Sequence, residues 1–426
     1  MAKAKNFTDV VRVFDPVQPL SGTELTEFYV DRQSESLAQM ETRLRVARKD
    51  EPIKLLFTGQ RGCGKSTELA KLAHNLRRHY FIVPFSVQRQ RWPMVELTYS
   101  DLILGMASAL FRQATEQQII TNAPAQILDE AFDDIRLFFE NTIFGPEISY
   151  RQPNRKFENS VKVNALAVEL QTKFSAEGVT RNGIRKRLEQ RMGELIGKID
   201  MMAEQVQIKY KRPVLFLVED TDKLDLERAR AIFLGYGATL TAMHASVIYT
   251  IPVGLRYSTD FNAIQSHFSD SFFLPNILLK HKDGRRDDEG YKQMASAINN
   301  RLALPLIDPV AQTALLEASG GLMRVLIRLT QRAAVRALAQ DRERVTLADA
   351  QASIEKDRGD LTAMLAPVDY ATLAARHLDK RLMSGDAATQ QLLHALALLE
   401  YRNGDSWCDV NPLLLPSLQE LGLAAA

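Results

Sequence analysis

The sequence predicts an α/β protein built on a parallel sheet, and three stretches carry that prediction. The first is the apolar run Ile53, Leu55, Leu56, Phe57, followed at 59–67 by G-Q-R-G-C-G-K-S-T and then by the helix-forming Glu68-Leu69-Ala70-Lys71-Leu72-Ala73. This satisfies G-x-x-x-x-G-K-[ST] at every fixed position and stands where a strand gives way to a helix, the setting of a phosphate-binding loop. The second is Val214-Leu215-Phe216-Leu217-Val218, a continuous apolar run suited to a strand buried on both faces, which ends in Glu219-Asp220-Thr221-Asp222-Lys223. The third lies near the C-terminal end, where an apolar helix leads to Asn403-Gly404 between β-prone flanks, a hairpin signal. Together they describe a P-loop NTPase parallel sheet with a C-terminal winged-helix-like module.

The loop residues suit their task. Gly59, Gly62 and Gly64 let backbone N–H groups turn inward around a phosphate, and the following helix aims its positive dipole end at the same anion. Lys65 reaches the β- and γ-phosphates, the Ser66 hydroxyl ligates Mg²⁺, and Thr67 closes the motif. Cys63 reads as a small neutral filler, because a thiolate there would repel phosphate. The carboxylates after the second run fall at the carboxyl end of a parallel strand, where open α/β sheets bind ligands. Glu219 is assigned to the metal and Asp220 to polarising the attacking water, with the pair open to exchange.

Composition bounds the class. The chain has 426 residues, 46% hydrophobic and 25% charged, as expected of a soluble globular protein with two to four domains. A net charge of +2 does not by itself point to nucleic acid. Two cysteines cannot build a disulfide framework, which suits a reducing cytoplasm. Neither a signal-peptide core nor an apolar run of roughly 18 residues occurs, so no membrane association is expected. The seven histidines show no metal-ligand pairing.

Taken in order, residues 1–28 read as an extended arm. Tyr29-Val30-Asp31-Arg32 precedes a helix marked by Glu35, Leu37, Met40 and Leu44, and is either a packing segment or the adenine side of the pocket through Tyr29, Val30 and Arg32. Residues 81–87 read as a second strand, weakened by Pro84. Helical pattern from Asp101, extending over 127–139, fills far more chain than a crossover needs, so a helical insert is expected at about 96–212. Residues 150–191 are basic, with Arg151, Arg155, Lys156, Lys162, Lys173, Arg181, Arg185, Lys186, Arg187 and Arg191. They form either a surface for nucleic acid or an acidic partner, or a solvated face; sparse aromatics favour the second. A helix over 226–243 and a buried strand over 246–252 follow. Thr250 near that strand's end either senses the γ-phosphate and its water or caps the strand locally. Phe272-Phe273-Leu274-Pro275 reads as the last core strand, and 280–290 as a charged turn. Beyond Tyr291 the pattern is helical, broken at Ser319-Gly320-Gly321, with Thr346 and Asp349 marking a helix start. Arg324 in a first helical turn opposes the macrodipole, which points it at an anion. Residues 392–399 read as a helix before the hairpin, and 413–421 as the final helix.

The set Tyr29-Val30-Asp31-Arg32, G-Q-R-G-C-G-K-S-T, V-L-F-L-V-E-D-T-D-K, I-Y-T-I-P and S-G-G-L-M-R resembles the AAA+/STAND group of P-loop ATPases, nearest its replication-initiator-like branch, over roughly residues 25–365. The resemblance implies ATP with Mg²⁺, adenine beside the residues matching Tyr29 to Arg32, sensor 1 at Thr250, and a sensor 2 arginine at Arg324 on a small helical lid. It implies a division into an arm (1–28), an ATPase core (29–280), a lid (281–366) and the winged-helix-like module (367–426). It also implies a homo-oligomer working with an effector or sensor protein, plausible in bacterial antiviral defence signalling. The alternative is a DNA-acting ATPase of initiator, loader or transposition-regulator type, with nucleic acid as partner. Two departures stand out: Glu219 replaces the usual aspartate and Asp220 the usual glutamate, which implies slow or partner-stimulated hydrolysis. Arg256 and Arg301 are the candidates for an arginine acting in trans.

Overall fold

The computed structural model describes residues 3–48, 50–121, 134–135, 137–139, 141–142, 178–303, 306–382 and 385–424. Five parallel strands form one sheet: β1 (Lys54–Thr58), β2 (Phe81–Ser86), β3 (Val214–Glu219), β4 (Ser246–Ile251) and β5 (Asp270–Phe273), in the order β2-β3-β4-β1-β5. Burial follows from this order. The three inner strands are buried almost throughout, whereas β2 alternates and exposes Pro84, a residue without an N–H that an edge strand tolerates.

The period of two in each strand divides the core between the faces of the sheet. Leu55 and Phe57, Leu215 and Leu217, and Ile248 pack on one side, joined by the helix Lys65–Leu76, the N-terminal arm and the helices after Asp288. Leu56, Phe216, Val218, Val247, Tyr249 and Ile251 pack on the other, against the helices Tyr99–Thr121, Gly178–Gln190, Met192–Tyr210 and Leu226–Gly235. The expected insert is therefore helical in its described parts and covers one face of the sheet. Most of the helix expected over 127–139 lies outside the described residues, as do Arg151, Arg155, Lys156, Lys162 and Lys173. The segment expected as a single helix over 226–243 breaks after Gly235, and a short turn of helix, Gly237–Leu240, follows.

The arm is not extended as expected. Phe7–Val13 is a helix whose N-cap, Asn6, accepts from the Asp9 N–H at 2.9 Å, and its Phe7, Val10 and Phe14 are buried. Helices Asp288–Asn299, Pro309–Ala318, Met323–Ala339 and Leu347–Thr362 follow β5, the last with the Thr346/Asp349 capping box. Helix Ala387–His394 then gives way to an antiparallel hairpin of β6 (Leu398–Asn403) and β7 (Asp405–Val410), and to the helix Leu415–Glu420. The preceding helix stops at His394 rather than running to 399. Leu396 turns the chain at φ +64°, and Leu398 and Leu399 enter the strand.

The hairpin brings a carboxylate into the interior. Glu400 is buried and accepts from the Tyr257 hydroxyl, while its Oε2 has no hydrogen-bond partner. Burial pushes this carboxyl up to about 8 from its ordinary 4.5, against the smaller downward pulls of the Tyr257 bond, Arg256 and Arg402. Between those values the folded chain holds a proton that the unfolded chain has released. The contribution to stability is thus complete below pH 4.5 and is lost as pH rises through about 8. Glu400→Gln is expected to flatten this fall, read as the difference in thermal midpoint between acidic and mildly alkaline buffer; an unchanged slope would place the titrating group elsewhere.

Candidate nucleotide site

The loop leaves β1 at Gly59 and enters the helix at Lys65, with Gly62 and Gly64 at φ +85° and +115°. Gly62 is also constrained by space: a Cβ there would stand 2.8 Å from Arg324 Cβ. The N–H of Arg324 donates to the Gly62 carbonyl at 3.0 Å, so the start of helix Met323–Ala339 rests directly on the loop.

A cavity of about 790 Å³ opens over the loop, within the range of small-molecule sites. Gly62, Cys63, Gly64, Lys65, Ser66 and Thr67 form its floor, and Glu219, Asp220 and Asp222 flank it at the end of β3. Tyr29, Val30, Arg32 and Arg324 line it as well, so most of the expected site residues converge. Tyr29 is fixed by donating to Glu68 Oε2 at 2.9 Å, with the Lys71 ammonium 5.1 Å from its ring centre. Arg32 donates to the Cys63 carbonyl at 2.7 Å and to that of Pro275, tying the segment before the first long helix to both loop and sheet.

Lys65 has all three ammonium protons engaged: the carbonyls of Gly59 and Gln60 at 2.7 and 2.9 Å, and Asp222 Oδ2 at 2.8 Å. Both members of that ion pair are buried. Burial alone would raise the Asp222 carboxyl, but Lys65, with smaller pulls from Lys223 and Arg61, turns the net shift downward. Glu219 behaves oppositely. Burial raises its carboxyl to about 7 despite a hydrogen bond from the Ser66 hydroxyl. Asp220 faces the end of β2, accepting from the Ser86 hydroxyl and pairing with Lys223 at 2.6 Å.

Two of the expected residues stand outside the cavity lining. Gly59, although part of the loop, does not line the cavity; its carbonyl serves Lys65 instead. Thr250 does not line the cavity either, because its hydroxyl bonds the Val218 carbonyl at 3.3 Å and meets the Thr221 hydroxyl at 3.2 Å. Its geometry is that of the local strand-end role. Sequence reasoning also missed residues that the structure brings in. Asp222 was visible only as one acid in an acidic turn. Residues 15–21 of the arm wall the cavity, and the Leu20 N–H donates to Thr67 Oγ1 at 3.3 Å. The spacing of Phe7, Val10 and Phe14 was the available signal that the arm packs.

The donors suit magnesium. Ser66 Oγ and the Glu219 carboxylate are hard oxygen ligands placed together at the loop, and Mg²⁺ takes few protein ligands and keeps waters and phosphate oxygens for the rest. Among the described residues no group of three or more His, Cys, Asp or Glu side chains surrounds a metal position.

No family model matches this chain, and no curated protein sequence matches it. Solved structures similar to it include Cdc6p from Pyrobaculum aerophilum, at 12% identity and TM-score 0.44 over 97% of each chain. The Aeropyrum pernix ORC2 protein in its ADPNP-ADP complexes aligns at 9% identity and TM-score 0.46, over 97% of this chain and 96% of that one. The Thermotoga maritima RuvB Holliday junction branch migration motor aligns at 13% identity and TM-score 0.38, over 97% and 100%. At these identities and scores, what those proteins do does not transfer to this chain. What the strand order and loop define here is a P-loop α/β sheet with a nucleotide-sized cavity. No helix among the described residues is long and apolar enough to cross a membrane.

Proposed function

We propose that this chain is a cytoplasmic ATP-binding and ATP-hydrolysing switch of AAA+/STAND type, coupling nucleotide state to conformational change and assembly. The observation that carries the reading is the meeting of Lys65, Ser66, Glu219 and Asp222 at the floor of one cavity, next to the Arg324 helix that rests on Gly62. The loop amides and Lys65 hold the β- and γ-phosphates, and Arg324 adds a second cation from the lid side. Tyr29, Val30 and Arg32 take the base side. Ser66 and Glu219 would hold Mg²⁺, which would supply neutralisation of the phosphate charge. Asp220 accepts the proton of the attacking water once it is free of Ser86 and Lys223. Self-assembly, an effector or sensor partner and a place in antiviral defence rest on the sequence resemblance alone.

The DNA-acting alternative finds less support in the described part of the basic stretch, residues 178–191. Arg181 pairs with Glu96, Arg185 with Asp101 at 2.6 Å and Arg191 with Glu194 at 2.7 Å, while Arg187 donates to the Thr142 carbonyl. The Arg181 and Arg185 guanidinium groups are thereby committed within the fold, whereas Lys186 and Arg187 are exposed and the Arg191–Glu194 pair lies at the surface. ATP turnover measured with and without duplex DNA across a salt series is therefore expected to be indifferent to DNA. Stimulation that falls steeply with salt would establish the alternative.

A further inference from the structure

Gln60 occupies a variable position of the loop, yet its side chain is buried and every hydrogen-bonding position of its amide is used. Nε2 donates to the carbonyls of Leu393 and Leu398 at 3.1 and 2.7 Å, and Oε1 accepts from the Glu400 N–H at 2.8 Å and from the Asn276 amide. Its backbone carbonyl is one of the three acceptors of Lys65. One residue thus touches the phosphate-binding ammonium through its main chain and the C-terminal hairpin through its side chain.

Arg61, the next residue, repeats the connection. Its guanidinium lies against the His394 ring at the end of helix Ala387–His394, its Nε is buried without a hydrogen bond, and the residue lines the cavity. The buried Asp222 carboxylate acts on both Arg61 and His394. While Lys65 neutralises Asp222, the group that Arg61 directly meets is a neutral imidazole, since burial and then Arg61 itself lower the His394 pKa to about 4. A half-buried guanidinium with its Nε buried and unpartnered is under-satisfied, and an arriving anion is the better partner.

We propose that helix Ala387–His394 and the β6-β7 hairpin form a read-out arm for the phosphate loop, released when a triphosphate enters. This rests on the nucleotide reading above. The phosphate draws Lys65 away from the Gln60 carbonyl and from Asp222, and both Asp222 and the phosphate then attract Arg61 from His394. The loop shifts under the four hydrogen bonds of the Gln60 amide, and the hairpin loses the anchor at Glu400. Because Tyr401 also donates to the Gly320 carbonyl at 2.8 Å, just before the Arg324 helix, the same release reaches the lid.

The test uses the full chain. Glu400 N–H exchange reads the anchor directly, and emission from Trp407, which packs on Tyr401 with ring centres 4.8 Å apart, reads the hairpin once the other tryptophan is removed as Trp92→Phe. Saturating Mg²⁺-ATP is expected to speed Glu400 exchange by about tenfold or more and to shift Trp407 emission. In Gln60→Leu the exchange should already be fast without nucleotide. In His394→Phe, which leaves the cavity intact, ATP should bind as before but produce a smaller change. ATP bound at saturation with exchange and emission unchanged would overturn the inference and leave the site standing; failure of ATP to bind at all would overturn both.

Discussion

Lys65→Ala is expected to lower ATP affinity by roughly 10²- to 10⁴-fold, on the basis of two charge-assisted phosphate contacts of about 1.5–3 kcal/mol each. The same change has a second consequence that the ion pair makes specific. Asp222 loses the ammonium 2.8 Å away and stays buried, so the fold should lose about 3–5 kcal/mol. The two effects are separable. Lys65→Ala combined with Asp222→Asn removes the orphaned charge, and should recover thermal stability without recovering affinity. Calorimetric titration read beside the unfolding midpoint distinguishes them. Undiminished ATP affinity in Lys65→Ala would remove the phosphate site from this loop.

Asp220→Asn should leave ATP binding intact and slow single-turnover hydrolysis by about 10²- to 10⁴-fold, the usual span for loss of a positioned general base. Its contacts sharpen the expectation. Because Ser86 and Lys223 hold the carboxylate at the β2 side, hydrolysis requires its release, and Ser86→Ala should change turnover more than it changes affinity. Unchanged turnover in Asp220→Asn would pass the role to Asp222, the acid that already meets Lys65.

What could be read from the sequence was local or governed by a strong topological rule. The strand–loop–helix at 54–76 is a contiguous motif, and the placing of Glu219 beside Ser66 follows from ligands gathering at the carboxyl ends of parallel strands. The fully buried runs of β3 and β4 were legible because an inner parallel strand leaves no polar face. Gln60, Arg61 and His394 were not legible. Their meaning comes from docking a module 333 positions further along the chain, and no local pattern encodes which buried carbonyls an amide will find. Thr250, which the sequence left open between two roles, shows the converse case. A hydroxyl at a strand end looks available for a ligand, but here the neighbouring strand's carbonyl and Thr221 satisfy it first. The end of the helix before the hairpin was misplaced because Leu398 and Leu399 fit either period, and only their burial in the hairpin decides.

The most direct measurement is a structure of the full chain with Mg²⁺ and a non-hydrolysable ATP analogue. The triphosphate should lie against the amides of residues 62–66, with the metal between Ser66 Oγ and Glu219 and with Lys65 moved off Asp222. A nucleotide bound elsewhere, or a metal remote from Glu219, would contradict the account.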